Sequence, residues 1–297
     1  MELKRYYTLL LPIVITSCNW FNPYDIPLAD EKAQCVSYFL PVDSDTSVCF
    51  LSNSINIYES QQNESFDFCV KVSTQESVVI SCNSMESDTA KVWIETGNLT
   101  DLIAGDTVFL EVESPEFGLL TSNTIVPESA VVIDYSLDSR SYFNGVKYFD
   151  EIDLKLSDPS NRDEAYMLQL ISHIDTIGAP IPSIRNMKSD DQNMLRRNFG
   201  DKNLDNALFF SDSFWEGDGT YTFNFRTKST ADEGVPYHYT LIVHSISMDI
   251  YKFFYDLEGG DMSGYFNGGG FDIYSNIDGG YGCFGTLKSS NILLFPE

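Results

Sequence analysis

The chain has 297 residues, of which 43% are apolar and 14% aromatic, and its formal charge is −26 from 44 acidic and 18 basic residues. That apolar content excludes a disordered chain and supports one large domain or two ordinary ones. The charge excludes a phosphate backbone as partner, so no nucleic acid is expected. It also repels anionic lipid head groups, so membrane attachment is expected to come from a covalent lipid.

Lys4 and Arg5 precede an apolar run, Tyr6 to Thr16, of signal-peptide h-region length, and Ser17-Cys18 closes it. The run is too short to span a bilayer, which takes about 20 apolar residues, and Ile15-Thr16-Ser17 is not an A-x-A-like cleavage site. This is the layout of a bacterial lipoprotein signal: residues 1–17 are expected to be removed and Cys18 acylated. Stable anchoring needs more than one acyl chain, which a diacylated or triacylated cysteine supplies. Residues 18–33, with Pro23, Pro27 and Asp30-Glu31, read as a tether.

From 34 to 129 the pattern is short strands and polar turns. Val108, Leu110 and Val112 fall on one face of a strand, with Phe109, Glu111 and Glu113 on the other. Lys91 to Glu95 behaves similarly. Turn signals at Gly97-Asn98, Gly105-Asp106 and Ser114-Pro115 recur at the spacing of an immunoglobulin-like β-sandwich. Phe66–Ser73 and Ser77–Asn83 read as a hairpin turning at Gln75-Glu76. Cys69 and Cys82 are equidistant from that turn and are expected to bridge. Cys35, Cys49, Cys69, Cys82 and Cys283 cannot all pair among themselves, and no CxxC or Cys/His spacing suits zinc.

Residues 130–297 read as a second β-rich domain, sandwich or barrel. Glu151–Leu156 and Tyr221–Arg226 alternate strictly, Tyr166–Ile171 carries large residues on both faces, and Tyr237–Ile246 is a further strand. Ile184 to Asp205 reads as a polar surface excursion or short helix. Ser247–Leu257 reads as a short helix capped by Ser247, with Met248, Tyr251, Phe254 and Tyr255 near one face. A glycine-rich turn then feeds a last strand, Cys283 to Phe295. The fold class is therefore mainly β, with one short helix.

No chemistry announces itself. His238 and His244 share one face of a strand but stand about 20 Å apart at 3.3 Å per residue. There is no G-x-S-x-G elbow, and Glu216-Gly217-Asp218-Gly219 lacks EF-hand spacing and reads as a turn. Trp215, Tyr221 and Tyr265 are aromatics in or beside loops, where binding surfaces form. No cofactor, metal or catalytic residue is expected.

The run Ser275-Asn276-Ile277-Asp278-Gly279-Gly280-Tyr281-Gly282-Cys283-Phe284-Gly285 resembles the C-terminal signature "sNi-x-gGlGxFg" of the domain of unknown function 4249 family, lipoproteins typical of Bacteroidetes-type bacteria. Asn276, Gly279, Gly280, Gly282 and Phe284 are the signature positions. Further segments resemble that family in order: Leu102–Val112, Ile125-Val126-Pro127, Asp158-Pro159 with Tyr166, Phe210-Ser211-Asp212, and His244–Ser247 with Tyr251. Cys283 stands where that pattern commonly has an aliphatic or aromatic residue. The resemblance implies a lipid-anchored outer-membrane protein, often encoded near TonB-dependent transporters, with no defined catalytic residues. The expected role is that of a ligand-binding or accessory partner of such a transporter in nutrient uptake. The alternatives are a cell-surface hydrolase and an assembly accessory of an outer-membrane complex.

Overall fold

The computed structural model describes residues 34–41, 46–53, 66–75, 77–81, 85–87, 91–95, 102–114, 118–158, 162–176, 178, 181–196, 206–215, 219–230, 235–259 and 273–296. Cys18, the tether, Cys82 and Tyr265 lie outside them.

The N-terminal part runs through β1 (Gln34–Pro41), β2 (Thr46–Asn53), β3 (Phe66–Ser73), β4 (Val78–Ser81), β5 (Met85–Ser87), β6 (Lys91–Glu95), β7 (Thr107–Ser114) and β8 (Gly118–Ile125). Then follow β9 (Val131–Phe143), β10 (Tyr148–Ser157), β11 (Ala165–Ile174), β12 (Ser183–Arg185), β13 (Met187–Lys188), β14 (Leu195–Arg196) and β15 (Leu208–Ser211). The chain closes with β16 (Thr220–Lys228), β17 (Tyr237–Ile246), α1 (Met248–Gly259) and β18 (Tyr281–Leu294).

Three sheets result. The first has the order β14-β15-β11-β17-β18-β1-β2-β6 with β12 on β11, the second β13-β16-β10-β9, and the third β4-β3-β7-β8 with β5 on β3. The first crosses the boundary expected near residue 129, because β1 lies parallel to β18 from Cys35↔Tyr281 to Pro41↔Leu287. The N-terminal strands therefore extend the sheet of the C-terminal half.

The second sheet packs face to face on the first. Ile152, Leu154, Leu156, Phe223 and Phe225 meet Leu168, Leu170, Phe210, Tyr239, Leu241, Val243 and Leu294 in one buried cluster. Both sets come from strands whose apolar residues recur at every second position, the period that puts them on one face. On the other side of the first sheet α1 seats Ile250 and Phe254 against Ala165, Met167, Phe209, Ile246 and Cys283. Covered on both faces, β11 is apolar on both, which is why Tyr166–Ile171 shows no alternation.

Two expectations change. The described part of the polar stretch expected as a surface excursion or short helix, residues 184–196, contains short strands, and Met187 and Met194 are buried in the main cluster. Of the helix face expected from Met248, Tyr251, Phe254 and Tyr255, the buried anchors are Phe254 and Ile250, whereas Tyr255 is 53% exposed. The helix lies on the sheet along the Ile250–Phe254 line, one i, i+4 step, which turns Tyr255 outward.

The β3–β4 hairpin pairs Ser73 with Val78 as expected, then shifts by one residue at a bulge, so Val72 faces Ile80 and Lys71 faces Ser81. The expected Cys69–Cys82 bridge falls on Cys82, outside the described residues.

Phe254→Ala should lower unfolding free energy by about 3–5 kcal/mol, the usual cost of emptying a buried aromatic site. Tyr255→Ala should change it by no more than about 1 kcal/mol. Urea unfolding of the two variants checks which side of α1 faces the sheet.

Candidate functional site

The signature residues form a clasp. Asn276 spans the backbone of Phe284: its Nδ2 donates to the Phe284 carbonyl at 2.8 Å, and its Oδ1 accepts the Phe284 N–H at 2.8 Å. The same side chain reaches the Asn123 carbonyl at 3.3 Å, and the Asn276 carbonyl accepts the Ser122 hydroxyl at 2.6 Å. Asp278 and Thr121 exchange two backbone hydrogen bonds at 3.1 and 2.8 Å. The loop before β18 is thereby sewn to β8.

Gly279 sits at φ +83°, and a Cβ there would stand 3.0 Å from the Leu119 carbonyl oxygen. Gly280 lies in the same turn. The Gly282 N–H donates to Ser275 Oγ at 3.1 Å, and its carbonyl accepts the Asn276 N–H at 3.3 Å. Phe284 is fully buried. At Gly285 a Cβ would fall 2.2 Å from Ile250 Cγ1, so α1 can approach only a glycine there. Ser247, expected to cap α1, instead offers its hydroxyl to the Thr286 N–H at 3.3 Å. Cys283 packs as a small apolar residue, and burial, with Asp249 adding to it, pushes its thiol pKa up. Asp249 accepts Thr124 Oγ1 at 2.7 Å and the Tyr274 hydroxyl.

Two other family segments converge a short way off. Asp158 and Tyr166 meet Asp212, and Glu164 joins them. The Glu128 N–H donates to Glu164 Oε1 at 3.0 Å, tying the connection between β8 and β9 to the C-terminal half. The Glu164 N–H donates to Asp212 Oδ1 at 2.9 Å, and the Asp212 N–H donates to the Glu164 carbonyl at 3.0 Å. Burial raises the Glu164 carboxyl to about 7 against the opposing pull of the Glu128 N–H. Burial and a hydrogen bond with the Asp158 carboxyl raise Asp212 to about 8. A hydrogen bond between two carboxyls needs one proton held between them, so Asp158 and Asp212 share one.

Against these carboxyls lies a row of parallel rings. Trp215 stacks on Tyr166 at 5.5 Å and 10°, and on Tyr221 at 6.1 Å and 12°. Two buried polar atoms here have no hydrogen-bond partner among the described residues, Glu164 Oε2 and Trp215 Nε1, and the Tyr166 hydroxyl is hydrogen-bonded to Asp158. Burial, then the neighbouring charges of Asp158, Glu164 and Asp212, push the Tyr166 pKa up, so it stays a donor. Of the expected binding aromatics, Trp215 and Tyr221 lie here, partly buried against the main cluster.

The histidines divide differently from the expectation. His244 is held between Ser289 Oγ at 2.8 Å and Gln169 Oε1 at 3.0 Å. His238 faces His173 across β11 and β17, rings parallel at 4.5 Å, with Asp175 at 2.9 Å from His238 Nδ1. Spacing along one strand could not show that pair, because its members belong to different strands. Among the described residues no group of three His, Cys, Asp or Glu is arranged to hold a metal ion.

These features define a mainly β protein built of packed sheets, with a carboxyl–aromatic cluster at the joint of its halves. The family model for the domain of unknown function DUF4249 matches residues 22–292, and the chain belongs to that family. No curated protein matches it. Among solved structures the crystal structure of chicken CNTN1 FN1-FN3 domains is similar at 11% identity, over 89% of this chain and 66% of that one. The TM-score is 0.26, too low to carry any inference.

Asn276→Ala should remove both of its hydrogen bonds to the Phe284 backbone at a cost of about 1–3 kcal/mol, read by thermal or urea unfolding. For the carboxyls the sign is set by linkage. Glu164 and Asp212 bind protons in the folded state at pH values where the unfolded chain has released them, so stability is fully present below about pH 4 and falls as pH rises towards 8. The Glu164→Gln/Asp212→Asn variant should lose less Tm between pH 6 and 9 than the unsubstituted chain. Equal losses would contradict the assignment.

Proposed function

We propose that this chain is a lipid-anchored protein of the outer membrane that works by binding, without chemistry of its own, as an accessory partner of a TonB-dependent transporter. The basic start, short apolar run and Ser17-Cys18 of its first residues support the anchor. The setting is what the resemblance of Ser275 to Gly285 to the signature of that lipoprotein family implies.

The observation that carries the binding reading is the pair Glu164 Oε2 and Trp215 Nε1: hydrogen-bonding atoms out of water, without partners among the described residues, beside stacked rings. Unpaired buried polar atoms are costly, and a polar ligand that paired them would recover that cost. One observation favours the alternative of a hydrolase, the two carboxyls raised towards neutral pH, which is how acid catalysts are tuned. Yet Glu164 and Asp212 hold backbone N–H groups of Glu128 and Glu164, roles that fix them as part of the joint.

Two measurements test the proposal. Cys18→Ala should turn membrane attachment that withstands high salt into attachment that high salt releases. Affinity capture of the lipidated protein from native outer membranes should recover a β-barrel transporter. Recovery of the protein alone under several nutrient limitations would overturn the partnership.

A further inference from the structure

The acidity of the chain is not evenly spread. At one end of the second sheet β9 and β10 project as a hairpin whose turn, residues 143–148, is held by Asn144: its Oδ1 accepts the Val146 and Lys147 N–H groups at 3.0 and 2.9 Å. Its side chains are the wrong kind for a solvated turn. Val146 is 77% exposed and Phe143 52%, and Tyr142 and Tyr148 are exposed beside them. Phe143 packs on Tyr148 at 4.8 Å and Tyr142 on Phe149 at 5.9 Å, one aromatic pair on each face of the hairpin beside its apolar tip.

Around it stand Arg140, Lys147, Arg185, Lys188, Arg226 and Lys228, six of the 18 basic residues of the chain. The pairing places them together. Phe149 faces Lys228 and Tyr142, Lys188 faces Arg226, and the Arg185 guanidinium donates to the Lys228 carbonyl at 2.7 Å. Arg140 lies over the Tyr148 ring at 4.0 Å and Arg226 over the Tyr142 ring at 5.2 Å. Among the described residues the acids at this end are Asp138, Asp150, Glu151 and Asp190. Asp150 is buried, Glu151 accepts the Ser141 hydroxyl at 3.0 Å, and Asp190 is paired with Arg226.

The hairpin is also held rigidly. Asp150 accepts the Arg140 N–H at 2.8 Å and the hydroxyls of Tyr239 and Tyr237 at 2.6 and 3.0 Å. Arg140 takes the left-handed conformation, φ 53°, the only described non-glycine residue to do so. A buried carboxylate and a costly backbone conformation thus fix the direction of an apolar tip.

We infer that this hairpin end docks on an anionic bilayer surface: the Val146/Phe143 tip enters the interface, Tyr142 and Tyr148 sit at head-group level, and the surrounding Lys and Arg meet lipid phosphates. Amphipathic aromatics and aliphatic tips partition to that depth, and each Lys or Arg near an anionic surface adds about fivefold to binding. With Arg226 paired to Asp190, the other five cations, gathered in a chain of charge −26, supply the complementarity that the acidic remainder lacks. The contact is separate from an acyl chain at Cys18 and does not rest on it.

Flotation of the full chain carrying Cys18→Ala tests it, with vesicles of phosphatidylcholine alone or with 30% phosphatidylglycerol (about a third anionic lipid, chosen to develop a surface potential). The chain should float with the anionic vesicles and less with neutral ones. Lys147→Ala/Lys228→Ala should lower partitioning on anionic vesicles about 25-fold and change it little on neutral ones. Phe143→Ser/Val146→Ser should lower it on both. Each variant should keep the starting Tm, because these side chains are exposed. Residues 1–17 are common to all three chains, so differences report the hairpin. Equal flotation of the three chains, or none, overturns the inference. So does binding to soluble polyglutamate that matches vesicle binding and is unaffected by Phe143→Ser/Val146→Ser, which would assign the patch to an acidic protein. Because the acyl-accepting cysteine is absent throughout, none of these results bears on the anchor.

Discussion

The two hydrogen bonds between the Asn276 carboxamide and the Phe284 backbone hold the whole arrangement in register. A carboxamide is the side chain that offers a donor and an acceptor in one plane, so it can stand in for a neighbouring strand where none is present. From that point β18 runs on as the strand between β17 and β1, and the same loop lies on β8. The first sheet, the third sheet and α1 meet at this loop. Its glycines are there for contact: Gly279 against Leu119, Gly285 against Ile250. The family signature is thus explained by assembly of the fold.

The carboxyl cluster belongs to the same joint. Glu164 binds the Glu128 N–H, Ser245 Oγ accepts the Ala130 N–H at 2.9 Å, and Arg162 lies against Gly105. The connection between the halves is therefore fastened along its length by side chains of the C-terminal half. A ligand taken up at Glu164 and Trp215 would bear directly on that fastening, since Glu164 offers one oxygen to the connection and its other has no partner among the described residues.

Much of this fold was legible in the residue pattern, and the limits are physical. Val108, Leu110 and Val112, and likewise Ile152, Leu154 and Leu156, lie on buried faces of half-solvated strands, so alternation marks them. β17 was legible over its full length. The pairing of β1 with β18 was not, because parallel strands at opposite ends of a chain share no turn to advertise them. Met187 and Met194 sit in a polar stretch whose strands are two or three residues long, too short to make a period. The signature residues were picked out by resemblance, and Asp158, Tyr166 and Asp212 fell in resembling segments, but nothing local placed them beside Glu164. The cationic hairpin end was hidden by the sum: a total of −26 says nothing about where the positive residues gather.

The central place of β1 has a mechanical consequence. It is the first described strand, and it is flanked by β18 on one side and β2 on the other. Tension delivered through the N-terminus runs along β1, across the direction of its hydrogen bonds. The strand cannot peel away one bond at a time; the ladders on both sides must slide together. A body moored at that end would resist being torn from its mooring far better than one whose leading strand lay at a sheet margin.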